Sequence, residues 1–125
     1  MARKAIETTK AKAIGPYSLG IAAGDLVFLS GQIAIDGTGK LVAGDIAAQT
    51  EQVFANIASI LSAEGLTFAH VVKATVFLTD MADFAAMNQV YQKHAVAPYP
   101  ARSTVAVAGL PLGALVEIEV TAVRH

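Results

Sequence analysis

Between residues 45 and 65 the apolar positions recur every three or four residues. Ile46, Val53, Ile57, Ile60 and Leu61 make one stripe, the spacing of a helix lying on a core. Asp45 can cap its start and Gly65 stop it, which predicts a helix over 45–63. Residues 71–79 are rich in β-branched side chains and read as a strand. Asp80 opens a second helix, with Asp83 in its first turn, where negative charge favours the helix dipole. That helix carries Phe84, Met87 and Tyr91 and ends before Pro98. Near the start, residues 3–9 suit a short strand. Gly15 and Pro16 mark a loop, and 18–23 and 25–33 read as a strand pair joined at Gly24. Leu26-Val27-Phe28-Leu29 is apolar at every position, as in a strand covered on both faces. Strands at 102–108 and 115–123 close the chain, separated by Gly109-Leu110-Pro111-Leu112-Gly113.

The order β-β-β-α-β-α-β-β predicts one α+β domain over residues 1–125, a mixed sheet with two helices on one face. The last strand shows what lies on the other face. Val116, Ile118 and Val120 alternate with Glu117, Glu119 and Thr121, so the two sets point to opposite sides. With the apolar set toward the helices, both glutamates face the uncovered side. Arg102, Thr104 and Ala106 share a side of the preceding strand. If that side is the glutamates' side, Arg102 meets them at a subunit interface.

Composition supports such an interface. The chain has 125 residues, 54% of them hydrophobic and 15% charged, with a mean hydropathy of +0.54. That is more apolar surface than a lone small domain easily hides, so part of it is expected to pack against copies of the same chain. No run of 18 apolar residues occurs, and the charged start lacks a secretory apolar segment. A soluble, cytoplasmic protein with no membrane association is expected. The net charge of −1 disfavours nucleic acid as a partner, since a tight phosphate-binding surface wants more positive charge on one face. Cysteine is absent, which excludes thiol catalysis. The three histidines are far apart, and no metal site is expected.

The candidate chemistry centres on Arg102, in Pro100-Ala101-Arg102-Ser103-Thr104. A guanidinium among apolar residues needs an anion. Glu117 or Glu119 supplies it, or a ligand carboxylate does, since the arginine fork fits a carboxylate with two hydrogen bonds. Two carboxylates for one arginine leave one over for proton transfer. Asn88 interrupts the stripe of the second helix and needs partners of its own. Tyr17 follows a Gly-Pro turn, and Gly31 after Ser30 would allow close approach to the backbone. Ser103 and Thr104 have no histidine nearby in sequence to make a triad.

These motifs resemble the reactive intermediate deaminase family, also called the RidA or YjgF-type family. The likeness runs through Ala13-Ile14-Gly15-Pro16-Tyr17-Ser18, Ser30-Gly31-Gln32-Ile33, Val72-Lys73-Ala74-Thr75-Val76-Phe77-Leu78-Thr79-Asp80, Pro100-Ala101-Arg102-Ser103 and Val116-Glu117-Ile118-Glu119-Val120. The resemblance implies a chorismate-mutase-like fold and a homotrimer with clefts between subunits. It implies hydrolysis of enamines and imines such as 2-aminoacrylate, 2-iminopropanoate and 2-iminobutanoate to 2-keto acids and ammonia, without a cofactor. By position, Arg102 would clamp the substrate carboxylate and Glu117 would activate water. Tyr17, Ser30, Gly31, Phe84, Asn88 and Thr104 would line the pocket. Thr104 stands where many relatives carry cysteine, and the 91–100 segment is shorter than in common members. Two other readings are a non-catalytic binder of small keto or amino acids, and a chaperone or RNA-directed role.

Overall fold

The computed structural model describes residues 2–125. Helix α1 spans Ile46–Ser62, and the Asp45 side chain accepts from Ala48 N as its cap. All five stripe residues are buried. Each fully buried aliphatic side chain stabilises the fold by roughly 1.5–3 kcal/mol. Helix α2 spans Phe84–His94. Asp80 does not begin it directly. Its carboxylate accepts from Ala82 N and caps a short 3-10 turn, Met81–Asp83, from which α2 continues.

Six strands form one sheet in the order β1-β2-β3-β6-β4-β5: β1 Arg3–Ile6, β2 Gly20–Ala23, β3 Leu26–Leu29, β4 Val71–Leu78, β5 Ala101–Ala106 and β6 Val116–Val123. Only β4 and β5 run parallel; every other neighbouring pair is antiparallel. Gly24 makes the β2–β3 turn at φ 60°, where a side chain is strained. The element order and the mixed α+β sheet are those expected from the sequence.

Two expectations about faces need correction. Strand β3 is not covered on both sides: Val27 and Leu29 are buried, while Leu26 and Phe28 are 43% and 44% exposed. Its alternation is set by position in the sheet, and an all-apolar run hides it. The second correction concerns β5. In register, Ala74, Val76 and Leu78 of β4 pair with Arg102, Thr104 and Ala106, and also with Val120, Ile118 and Val116 of β6. Paired residues share a face. Arg102 and Thr104 therefore lie on the helix-covered face, and Glu117 and Glu119 on the other.

The helices are tied together and to the sheet by polar contacts. Glu51 of α1 takes both Lys93 and His94 of α2. The His94 ring stacks on Phe54 at 4.8 Å. After α1, the Glu64 side chain, 7% exposed, pairs with Arg124 at 2.7 Å and Lys4 at 3.3 Å. That joins both ends of the chain to the end of α1. No described helix is long and apolar enough to cross a membrane.

Candidate active site

The sequence-predicted residues gather into two groups. On the helix face, Arg102 projects from β5 toward α2. Its Nη1 donates to Asn88 Oδ1 at 2.7 Å, and its guanidinium lies 4.6 Å from the Tyr91 ring centroid and 5.7 Å from that of Phe84. Asn88 and Tyr91 stand three apart, so they share one face of the helix. Asn88, Tyr91, Gln92, Tyr99, Pro100 and Arg102 line a cavity of about 330 Å³. Among the described residues Arg102 has no acidic partner, since the ion pairs fall on Glu64, Glu51 and Asp25. Neither Glu117 nor Glu119 neutralises it.

Thr104 lies two residues along the same strand face. Its Oγ1 is the one buried side-chain polar atom without a partner among the described residues. An orphaned hydroxyl of this kind costs about 1–3 kcal/mol.

The second group lies on the other face. Tyr17, Ser30, Gly31 and Glu117 line a cavity of about 520 Å³ together with Ile14, Ile33, Pro111 and Glu119. The Tyr17 hydroxyl accepts from Ile14 N at 3.1 Å, which closes the loop on itself. The Ser30 hydroxyl donates to Ser18 O at 2.6 Å, so its oxygen is left to the cavity as an acceptor. The loop after β3 is bridged to β6, with Gln32 N donating to Ile118 O and Ile118 N to Gln32 O. That bridge sets Gly31 against Glu117. A Cβ built on Gly31 would fall 1.9 Å from Glu117 Oε2.

Burial raises the Glu117 carboxyl above the usual carboxylate range, and the neighbouring Glu119 charge adds to the rise. Glu119 itself is exposed. A carboxyl whose titration is moved up toward neutrality is better matched to accepting and returning a proton.

Sequence reasoning did not assign Tyr91 to the arginine, although its spacing from Asn88 was available. Tyr99, Gln92, Ile14, Ile33 and Pro111 were also missed as cavity residues. Gln92 lies one helical turn after Asn88 on α2, a spacing the sequence does display, whereas the other four are brought in by segments outside the strands and α-helices that no periodicity encodes. Arg102 and Glu117, cast as partners in one reaction, are not brought together within one chain. Register places them on opposite faces, with β4 between their strands and the strands about 10 Å apart.

Known proteins resemble this chain in sequence and in fold. Residues 7–124 match the family model described as Endoribonuclease L-PSP. Protein DfrA of Myxococcus xanthus is 51% identical, over 98% of this chain and 97% of that one. Reactive Intermediate Deaminase A, chloroplastic, of Arabidopsis thaliana is 50% identical, over 94% of this chain and 64% of its own length. The chain belongs to the reactive intermediate deaminase family. A 2-iminobutanoate/2-iminopropanoate deaminase of Bos taurus is 44% identical, over 99% of this chain and 92% of that one. The crystal structure of E. coli TdcF with bound serine superposes with a TM-score of 0.90 at 44% identity, covering 98% of this chain and 99% of that one.

Proposed function

We propose that this protein hydrolyses small imino acids, 2-iminopropanoate and 2-iminobutanoate among them, to 2-keto acids and ammonia. The observation that carries the reading is Arg102, held by Asn88 and Tyr91 beside a cavity and left without an acid of its own chain. A cation so prepared suits an incoming carboxylate. The names of relatives at 44–50% identity support the same substrate class.

The opposite placement of Arg102 and Glu117 leads to a further part of the proposal. One catalytic site combines Arg102 of one copy with Glu117 of another, as three clefts of a homotrimer would allow. The exposed Leu26, Phe28, Val72 and Val105 lie on strands of the sheet and give copies an apolar surface to share.

In the assembled cleft Arg102 holds the substrate carboxylate and fixes the imine carbon beside a water. An enamine substrate first takes a proton from solvent at carbon, which gives the N-protonated imine, the form that reacts. Glu117 removes a proton as the water oxygen bonds to the imine carbon. The resulting carbinolamine nitrogen then receives a proton from Glu117. The C–N bond breaks, ammonia leaves, and the carbinol oxygen becomes the keto oxygen as its proton is lost. Positioning and proton transfer, the latter worth roughly 10²–10⁴-fold, suffice for a carbon that is already electrophilic. The orphaned Thr104 hydroxyl, beside Arg102 on β5, is a hydrogen-bonding group for the bound acid.

The test generates 2-aminoacrylate from serine with a dehydratase and follows keto-acid release. Acceleration by this protein, lost in Arg102→Ala, supports the reading. Binding of 2-ketobutyrate by calorimetry without any acceleration would make the protein a binder instead.

A further inference from the structure

We propose that Asn56, a residue of α1 that lines neither cavity, is a positioning residue for the Glu117 half-site. Its amide sets how closely the Gly31 loop stands over the Glu117 carboxylate. The inference rests on Glu117 as the proton-transfer group and adds the device that fixes its surroundings.

Asn56 is 2% exposed. Its Nδ2 donates to Ile33 O at 3.2 Å and to Ile35 O at 2.9 Å. Its Oδ1 accepts from Gln52 Nε2 at 2.9 Å, which fixes the orientation of the amide. One side chain thus holds two carbonyls of the loop that carries Gly31. Ile33 also lines the Glu117 cavity.

Packing also holds that loop, since Ala34 is fully buried in the main core. Ile33 and Ile35 form a small apolar cluster with Ala114, separate from the main core. The Gln32–Ile118 bridge holds the loop to the sheet. Ser30 N donates to Leu19 O and Val42 N to Ala34 O, which tie its two ends, and Asn56 is the side chain that hydrogen-bonds it to the helix. The same helix also holds the chain just before β6, because Gln49 Oε1 accepts from Leu115 N at 2.9 Å.

The fit at the centre has little tolerance. Gly31 leaves no room for even a methyl group beside Glu117. A loop shift of about an ångström would admit water to the carboxylate and move it relative to substrate, and misplacement on that scale can cost up to about 10²-fold in rate. The other titratable groups on this side are Glu119 on β6, Tyr17 in its loop and Lys73 on β4, joined in the assembled cleft by a second copy's Arg102. An Asn56 substitution changes none of these charges.

The experiment is a carbon-13 NMR titration of the full chain labelled at glutamate, with the Glu117 signal assigned by its loss in Glu117→Gln. In Asn56→Ala the Glu117 titration is expected to fall back toward the ordinary carboxylate range. The kcat for keto-acid release is expected to fall about tenfold with KM nearly unchanged. Glu64→Gln, which loosens the fold far from the cavity, is expected to lower the melting temperature and leave the Glu117 titration in place. A melting temperature lowered in Asn56→Ala with an unmoved titration would make Asn56 a mere brace and overturn the proposal. So would an equal shift in Glu64→Gln. If Asn56→Ala does not fold, Gln52→Ala frees the amide to rotate, and its titration must move in the same direction, by less. No movement there also overturns the proposal. The titration needs no turnover, so an inactive wild type, which defeats the deaminase reading, is told apart from an unmoved titration, which defeats the role of Asn56 in setting the surroundings of Glu117.

Discussion

Glu117 rests over Gly31 with no space for a side chain between them, a Cβ there falling 1.9 Å from Oε2. The carboxylate, at the end of a flexible chain, is the part that would yield. Gly31→Ala is therefore expected to fold, with a stability change on the order of 1 kcal/mol. Keto-acid release should fall by about 10²-fold, because the displaced carboxylate no longer meets the water. Thermal melting and steady-state kinetics on the same preparation check both halves.

Asn88 is expected to act through Arg102. Removing its oxygen in Asn88→Ala frees the guanidinium from its 2.7 Å contact. A hydrogen bond to a charged group contributes about 1.5–3 kcal/mol, so KM should rise roughly tenfold or more with a smaller change in kcat. Asn88→Asp should be worse than Asn88→Ala, because a permanent carboxylate beside Arg102 takes the place of the substrate's. Calorimetry with 2-ketobutyrate gives the same ranking without turnover.

The raised Glu117 titration carries a stability cost that depends on pH. Its folded value lies above the ordinary 4.5, with burial the first cause. Through the interval between the two values the folded chain holds the proton and the unfolded chain has lost it. Stability from this group is thus complete at low pH and is lost as pH rises through the folded value. Glu117→Gln should raise the melting temperature by a few degrees at neutral pH. The gain should vanish below the ordinary carboxylate range. Melting curves at pH 3.5 and 7.5 make the comparison.

Glu64 behaves in the opposite sense. The hydrogen bond from Arg124, with Lys4 adding to it, holds its carboxyl below the usual range against the effect of burial. Its contribution is present at neutral pH and is lost as pH falls through the lowered value. Glu64→Gln should cost about 1–2 kcal/mol at pH 7, or roughly 4–8 °C in melting temperature, and little in acid.

Much of this molecule was legible in its sequence, and the reason is local. The α1 stripe, the Asp45 cap and the β6 alternation each depend on residues a few positions apart, so 3.6- and 2-residue periods reveal them. Leu26 to Leu29 defeated that reading because only the sheet's neighbours decide which face is covered. Arg102 shows the same limit at the site. Its residue type and apolar setting marked it as an anion holder. Its side of the sheet depends on the parallel register with β4, which the sequence does not display. Asn88 was recognised as an amide needing partners, yet its partner lay fourteen residues away on another element. Asn56 stands one turn from Gln52, a pair the sequence displays, but the two loop carbonyls it holds leave no mark there, because every residue has one.

Arg102 and Glu117 lie on opposite faces of one sheet, and the account depends on two copies bringing them together. Arg102→Ala and Glu117→Gln should each abolish keto-acid release from 2-aminoacrylate. Unfolded together and refolded as a mixture, they should recover part of the wild-type rate, because some clefts then hold an intact Arg102 from one copy and an intact Glu117 from its neighbour. A mixture shown by native mass spectrometry to contain both variants in one assembly, yet as inactive as either alone, would contradict it.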